Sequence, residues 1–518
     1  MPKLLKSASV FGGWTFISRI LGLVRDVLFA RFFGATYMMD VFKVTFSIPN
    51  YFRRLFGEGA FLQSFVPVLN EYKEKQDHAA VKDLVDKTSG TLGFILFIVS
   101  LLGVLAAPVF ILLFAPGFYD EPEKWELSIR MLRWMFPYLL FISLTALAAG
   151  ILNTYNRFAV PAFTPILLNL ILIGFVLYIS PQFETPVYAI AIGVFLAGIV
   201  QLVFQFPFLR QLRLLPRPKW GWKDSGVRKI FRLMIPGIFG SSVAQLNLII
   251  DTAIASLLAT GSISWLFYSN RLMEFPLGIF GIAIATVALP RLSSQFSSNS
   301  TQEFSRTLDW SLRMAFVICL PAAVGLLCLA GPMLATLFQY GEFTTYDMRM
   351  ARYSLWAYGL GLFGFVLVKV LVPGYFSRQD TVTPVKIGIV AIVVNISLNV
   401  IVLSLFLTGK WTTAPHAGLA AATSLGAFVN AVLLYRGLRK RGIYTPQKGW
   451  WLYLAKVVLA CVLMGLLITF LAGSLDSWAS AGALSRISRL ATVIGAGVLC
   501  YFASLFIMGI RPGHFLQH

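Results

Sequence analysis

Apolar runs of about 20 to 30 residues recur along the whole chain, each closed by a cluster of charged residues, prolines or glycines. Runs this long exceed the length of a strand and are too uniformly apolar for the surface helices of a water-soluble core. They predict about fourteen membrane-spanning helices, near 9–33, 38–67, 88–114, 127–152, 159–180, 186–209, 230–258, 264–290, 310–338, 350–374, 384–407, 415–436, 450–473 and 486–510. No stretch between them is long enough for a soluble domain. Composition agrees: the 518 residues are 58% hydrophobic and 13% charged, with a mean hydropathy of +0.77. No water-soluble class fits these values. The expected fold is an all-α integral membrane protein.

The order of the spans repeats. Span 2 ends Phe65-Val66-Pro67-Val68-Leu69 and span 8 ends Ala288-Leu289-Pro290-Arg291-Leu292. Ala115-Pro116-Gly117-Phe118 after span 3 is matched by Gln339-Tyr340-Gly341-Glu342-Phe343 after span 9, and Tyr155-Asn156-Arg157-Phe158 by Phe376-Ser377-Arg378-Gln379. The offsets, about 221 to 225 residues, predict a duplicated six-helix unit. An even helix number places both copies the same way up, the parallel-repeat plan of many secondary transporters. The expected domains are an N-lobe over 1–210, a cytoplasmic amphipathic linker over 211–229, a C-lobe over 230–441, and two further helices with a tail over 442–518.

The chain has 43 Lys and Arg against 22 Asp and Glu, a formal charge of +21. The excess is spread over short loops, with no basic domain to hold a duplex, so nucleic acid is not an expected partner. Arg210, Arg213, Arg217, Lys219, Lys223, Arg228 and Lys229 crowd the connection between spans 6 and 7, and Arg436, Arg439, Lys440, Arg441 and Lys448 the one between spans 12 and 13. Acidic residues (Asp120, Glu121, Glu123, Glu126, Glu184, Glu342 and Asp347) gather on odd-numbered connections. The expected location is a bacterial cytoplasmic membrane, crossed many times, with both termini on the cytoplasmic side. Met1-Pro2-Lys3-Leu4-Leu5-Lys6 does not read as a cleaved signal peptide. Trp220 and Trp222 in the 6–7 connection suit the headgroup level of the inner surface.

Some charges fall inside the spans. Ser18, Arg19, Gly22, Arg25 and Asp26 share an arc of about 120° on span 1, with Ile20, Leu21, Leu23, Val24, Val27 and Leu28 on the rest of the wheel. An arginine in hydrocarbon costs at least ~2.5 kcal/mol, so this stripe should face water, ligand or counter-charge. Span 2 repeats the pattern with Asp40, Lys43, Ser47, Asn50, Arg54 and Glu58, interrupted by Pro49; Arg53 lies off the arc. Arg271, Glu274 and Gly278 form one row on span 8, and Lys369 and Asp251 lie in spans 10 and 7. Structural ion pairs would explain the acids but not the surplus of arginines. That surplus suits an anionic, phosphorylated substrate held by guanidinium forks.

Cys319, Cys328, Cys461 and Cys500 all lie in apolar segments and read as small core residues. The histidines His78, His416, His514 and His518 show no metal-ligand spacing, so neither a metal nor a cofactor is expected. An oxygen-only set of Asp251, Asn395, Asn399 and Thr423 could hold a hard cation such as Na⁺. An Asp bonded to two Asn side chains would look the same in sequence.

These residues resemble the MurJ-type (MviN-type) lipid II flippases of the multidrug/oligosaccharidyl-lipid/polysaccharide exporter superfamily. The resemblance rests on Ser18-Arg19 to Arg25-Asp26, on Pro49-Asn50 through Arg53-Arg54 to Glu58-Gly59-Ala60-Phe61, and on Asn270-Arg271-Leu272-Met273-Glu274-Phe275-Pro276. Gly150-Ile151-Leu152-Asn153-Thr154, Ser377-Arg378-Gln379-Asp380 and Thr383-Pro384-Val385-Lys386 extend it. It implies two six-helix lobes plus two helices. It also implies outward flipping of undecaprenyl-pyrophosphate-linked peptidoglycan precursor, a transport and not an enzymatic function; the expected partners are that lipid and membrane lipids, with the protein a monomer. It places substrate arginines at Arg19, Arg25 and Arg271, and polar partners at Asp26, Asp40, Arg53, Glu58 and Glu274. Where close relatives read Lys-Leu-Pro-Asn, this chain reads Ser47-Ile48-Pro49-Asn50, with Lys43 one turn earlier. Spans 13 and 14 read as packing helices by composition; the resemblance makes them a groove for the polyprenyl tail. A Glu58–Arg378 ion pair is the expected cytoplasmic gate. The competing readings are a flippase for another polyprenyl-linked oligosaccharide, a drug exporter of the same fold, and a polyprenyl-sugar transferase. The last lacks clustered carboxylates.

Overall fold

The computed structural model describes residues 2–55 and 60–510, and every regular element among them is helical. The chain divides into two compact units, residues 1–261 and 262–518.

The first unit contains α1 (Pro2–Phe33), α2 (Tyr37–Arg53), α3 (Ala60–Lys75), α4 (His78–Leu105), α5 (Ala107–Phe114), α6 (Pro122–Met135), α7 (Tyr138–Thr154), α8 (Ala159–Gly174), α9 (Pro186–Gln211) and α10 (Ser225–Ser256). Within it α1 lies on α8, α8 and α7 on α9, α2 on α6, and α3 on α10. The second contains α11 (Ser262–Pro276), α12 (Ile282–Ser297), α13 (Thr301–Cys328), α14 (Ala330–Leu337), α15 (Thr345–Phe376), α16 (Val382–Leu407), α17 (Pro415–Lys440), α18 (Trp450–Ala472), α19 (Asp476–Ala479) and α20 (Ala483–Ile507). Its centre is α15, flanked by α11, α13 and α17.

The repeat extends to helix lengths. In each unit a 28-residue helix (α4, α13) breaks for one residue and resumes as an 8-residue helix (α5, α14), and both members of the second pair start 223 residues after those of the first. A proline near the start of each short helix, Pro108 and Pro332, accounts for the break, because it cannot donate to the preceding turn. α1 and α10 are likewise both 32 residues long.

Eleven helices among the described residues are long and apolar enough to cross a membrane. The three expected spans outside this set are 1, 2 and 7. Four ionisable residues between Arg19 and Arg31 lower the apolar character of α1, and α2 is only 17 residues with Asp40, Lys43 and Arg53 in it. Span 2 also differs in outline. The helix runs through Pro49, which is buried, and α2 ends at Arg53, four residues beyond the expected interruption.

The linker forms a strap across α4. The Asp86 carboxylate accepts the Arg217 N–H (2.7 Å), its carbonyl accepts the Lys219 N–H (3.0 Å), and Thr91 Oγ1 accepts the Gly221 N–H (3.0 Å). Lys87 bonds Asp224 (2.9 Å) and Asp83 (2.5 Å), while Lys82 pairs with Asp86 and donates to the Leu215 carbonyl (2.9 Å). Trp220 and Trp222 stack on each other and stay exposed.

In the second unit, close helix contact is set by small residues. A Cβ on Gly361 of α15 would stand 2.1 Å from Ser424 Oγ of α17, which donates to the Ala357 carbonyl (2.8 Å). The buried Asp309 joins α13 to the connection before α18. It accepts from Tyr444 Oη (2.7 Å), Trp450 Nε1 (2.7 Å), the Gln447 N–H (3.1 Å) and Arg313 Nε (2.8 Å). Burial and then this carboxylate push the Tyr444 phenol well above its ordinary pKa. α18 and α20 pack through Val457, Cys461, Met464, Val493 and Tyr501. Arg486, buried on α20, donates to the carbonyls of Ala335, Gln339 and Ala479.

The strap leaves no room for a side chain on Gly90, whose added Cβ would lie 2.2 Å from the Lys219 carbonyl oxygen. Gly90→Ala should cost about 1–3 kcal/mol. It should lower the thermal midpoint and, by loosening the strap backbone, speed tryptic cleavage after Lys219 in the solubilised protein.

Candidate substrate-binding helices

On α1 the charged stripe folds back on itself. Asp26 is fully buried, and Arg25 is 14% exposed. Arg25 Nε (3.1 Å) and Nη2 (2.8 Å) both donate to Asp26 Oδ1, and Nη1 donates to Asn169 Oδ1 of α8 (3.1 Å). Asn169 Nδ2 in turn donates to the Ser18 carbonyl (3.1 Å), and the Arg25 guanidinium lies 5.6 Å from the Phe29 ring. Asp26 is the counter-charge that lets an arginine stay inside an apolar helix pair. Gly22 is buried on the same helix, Ser18 is half-buried, and Arg19 is exposed.

On α2, Asp40 and Lys43 are buried. Asp40 Oδ2 accepts the Gly261 N–H at 2.6 Å, fastening the turn after α10, where Gly261 has a φ of 95°. A positive φ favours glycine at this point. Lys43 Nζ lies 5.3 Å from the Phe29 ring and 5.5 Å from the Phe42 ring, within cation–π range. Asn50 donates to the Phe46 carbonyl (2.9 Å) and accepts from Arg53 Nε (3.1 Å), while Arg54 donates to Gln245 Oε1 (2.9 Å). Ser47 spends its hydroxyl on the Val44 carbonyl (2.7 Å). Glu58 lies outside the described residues.

In the second unit, Arg271 on α11 is half-buried, with Nη1 4.0 Å from Glu274 Oε2. Glu274 is exposed and accepts from Asn270 Nδ2 (3.0 Å). Arg378, named for the gate, stacks 5.4 Å from the Phe296 ring. Its neighbour Asp380 accepts from the Thr383 N–H (2.9 Å), the Thr383 hydroxyl (2.7 Å) and Arg441 Nη1 (2.7 Å). Those bonds hold the Asp380 carboxyl at a pKa of about 2. Of the oxygen set, Asp251 belongs to the first unit and accepts from Asn247 Nδ2 (3.0 Å). Asn395 and Asn399 are buried on α16, and Thr423 on α17 donates to the Leu419 carbonyl (3.0 Å).

Two features escaped the sequence reading. Asn169 is a lone amide in an otherwise apolar span, and that isolation was its one signal. The second is a cavity of about 610 Å³ among α13, α15, α17 and α18, lined by Phe316, Leu371, Phe428 and Trp450 with Arg439 and Lys448 at its polar positions.

A strongly apolar, helical chain with eleven helices long enough to span a bilayer among its described residues defines a polytopic membrane protein. An inward-facing multidrug resistance MATE family transporter of the MOP superfamily shares the fold, with a TM-score of 0.65 at 14% identity over 84% of this chain and 98% of that one. A structure described as lipid II flippase MurJ in an inward closed conformation has a TM-score of 0.79 at 27% identity, over 96% of this chain and 98% of that one. The family model for lipid II flippase MurJ matches residues 29–487. The probable lipid II flippase MurJ of Vibrio cholerae serotype O1 is 48% identical over 517 residues, 98% of this chain and 97% of that protein. The lipid II flippase MurJ of Burkholderia cenocepacia is 40% identical over 518 residues, 99% of each. The chain belongs to the MurJ lipid II flippase family, and is a multi-pass protein of the bacterial inner membrane.

Asp40 supplies a structural bond that its expected substrate role does not include. Asp40→Ala should strand the Gly261 N–H and cost about 1–3 kcal/mol, read as a lower thermal midpoint of the purified protein without ligand.

Proposed function

We propose that this protein moves lipid II, the undecaprenyl-pyrophosphate-linked peptidoglycan precursor, from the cytoplasmic to the periplasmic leaflet by alternating access, as a monomer and without altering its covalent structure. Membership of the MurJ family along almost the whole chain carries the reading. Arg19, Arg25 and Arg271 are the pyrophosphate contacts in this reading. Guanidinium forks replace the hydration of a diphosphate with bidentate, charge-assisted hydrogen bonds. An exporter of cationic drugs would call for an acidic lining, which the arginine surplus does not supply. In this reading both termini are cytoplasmic, which the basic 6–7 and 12–13 connections support.

In vesicles carrying the purified protein, labelled lipid II should cross the bilayer chemically unchanged. Arg→Lys at any of the three positions should slow it about tenfold or more, because lysine keeps the charge and loses the fork. Normal rates in all three variants would sink the pyrophosphate assignment.

Orientation is tested by an impermeant thiol reagent on a cysteine-free background. Gly117 and Gly221 are unsuitable positions, since an added Cβ would stand 2.1 Å from the Ser256 carbonyl oxygen and 2.4 Å from Lys87 Cβ. Exposed neighbours serve instead. Asp120→Cys and Glu342→Cys should react in intact cells, and Lys223→Cys and Lys448→Cys only after permeabilisation.

A further inference from the structure

We infer that Asn169 is a positioning residue for Arg25, fixing which edge of the guanidinium is offered to the substrate pyrophosphate. The inference rests on the assignment of Arg25 to that group and adds the device that orients it.

A guanidinium has five N–H donors. Three of those on Arg25 are spent, two on Asp26 Oδ1 and one on Asn169 Oδ1. One N–H remains on each terminal nitrogen as a donor for phosphate oxygens. Asp26 alone cannot set that presentation. Both of its bonds reach one oxygen, so the guanidinium could pivot about that point. The contact to Asn169 at the opposite nitrogen removes the pivot.

The amide is itself held. Its donor end meets the Ser18 carbonyl and its acceptor end meets Arg25, so a flipped amide would lose both bonds. Ser18 and Arg25 lie about two turns apart on α1, and Asn169 spans them from α8. The residue is 6% exposed, so water does not replace either partner easily.

The support continues behind it. Gln201 Nε2 of α9 donates to the Thr164 carbonyl of α8 (3.1 Å), and Gln205 Nε2 donates to the Thr164 hydroxyl (3.2 Å). All three side chains are buried. Trp14 of α1 and Phe163 of α8 meet edge to face at 5.1 Å. Asn169 therefore stands on a helix fixed from its far side, the condition for holding a binding group to a fraction of an ångström.

The test is a double-mutant cycle on lipid II affinity, measured with the full-length protein in nanodiscs. Asn169→Ala should weaken lipid II binding about tenfold when Arg25 is present, the scale of one hydrogen bond to a charged group. In an Arg25→Ala background the same change should matter about twofold or less. Asn169→Leu, of similar size and uncharged, guards against misfolding of the alanine variant. It removes both amide hydrogen bonds without adding a charge, and it should show the same dependence on Arg25. Equal losses with and without Arg25, for the variants that fold, would make Asn169 a packing residue and overturn the inference alone. If Arg25→Ala binds lipid II as tightly as the unaltered protein, the pyrophosphate assignment of Arg25 fails, and the inference falls with it.

Discussion

A charge inside a bilayer must meet its counter-charge before it can meet anything else. The Arg25–Asp26 pair of α1 meets that demand within one turn of one helix. Asp26 has no exposure, and it takes two of the arginine's five donors. The pair lets a helix carry a cation and remain largely apolar. Asp26 and Asn169 together take three of the guanidinium's five donors. Removing the acid would leave a buried cation short of its partner, a change that costs several kcal/mol in typical cases.

Much of this was legible in the sequence. The stripe on α1 and the charged face of α2 follow from helical periodicity, because one residue every 100° decides which side chains can share a face. The duplication was visible in three short matches, and the helices extend it to the break between α4 and α5 and its copy between α13 and α14. The same charges that marked spans 1 and 2 keep them out of the set recognisable by hydropathy alone. Pro49 predicts an interruption, yet the helix continues past it to Arg53, since a proline costs a helix one hydrogen bond and neighbouring contacts can offset that loss.

What the sequence did not disclose was partnership across long separations. Asp309 gathers Tyr444, Gln447 and Trp450 from about 140 residues away, and nothing in the local pattern around Asp309 names them. Asp40 reads as one more acid of a charged face, but one of its oxygens holds the backbone at Gly261. Asn169 is separated from Arg25 by 144 residues. Periodicity tells which residues share a face of one helix, and is silent about what the facing helix brings.

The strap across α4 has a consequence for the order in which the protein is made. Asp86 emerges from the ribosome 131 residues before Arg217, whose N–H it accepts. At typical synthesis rates that interval is roughly 7–26 s. Throughout it the carboxylate has only Lys82, one turn away on its own helix, as a charged companion. The Gly90 face of α4 stays open for the same period. The α4 face of the first unit is therefore covered late in translation, only after the whole of α9 has been made.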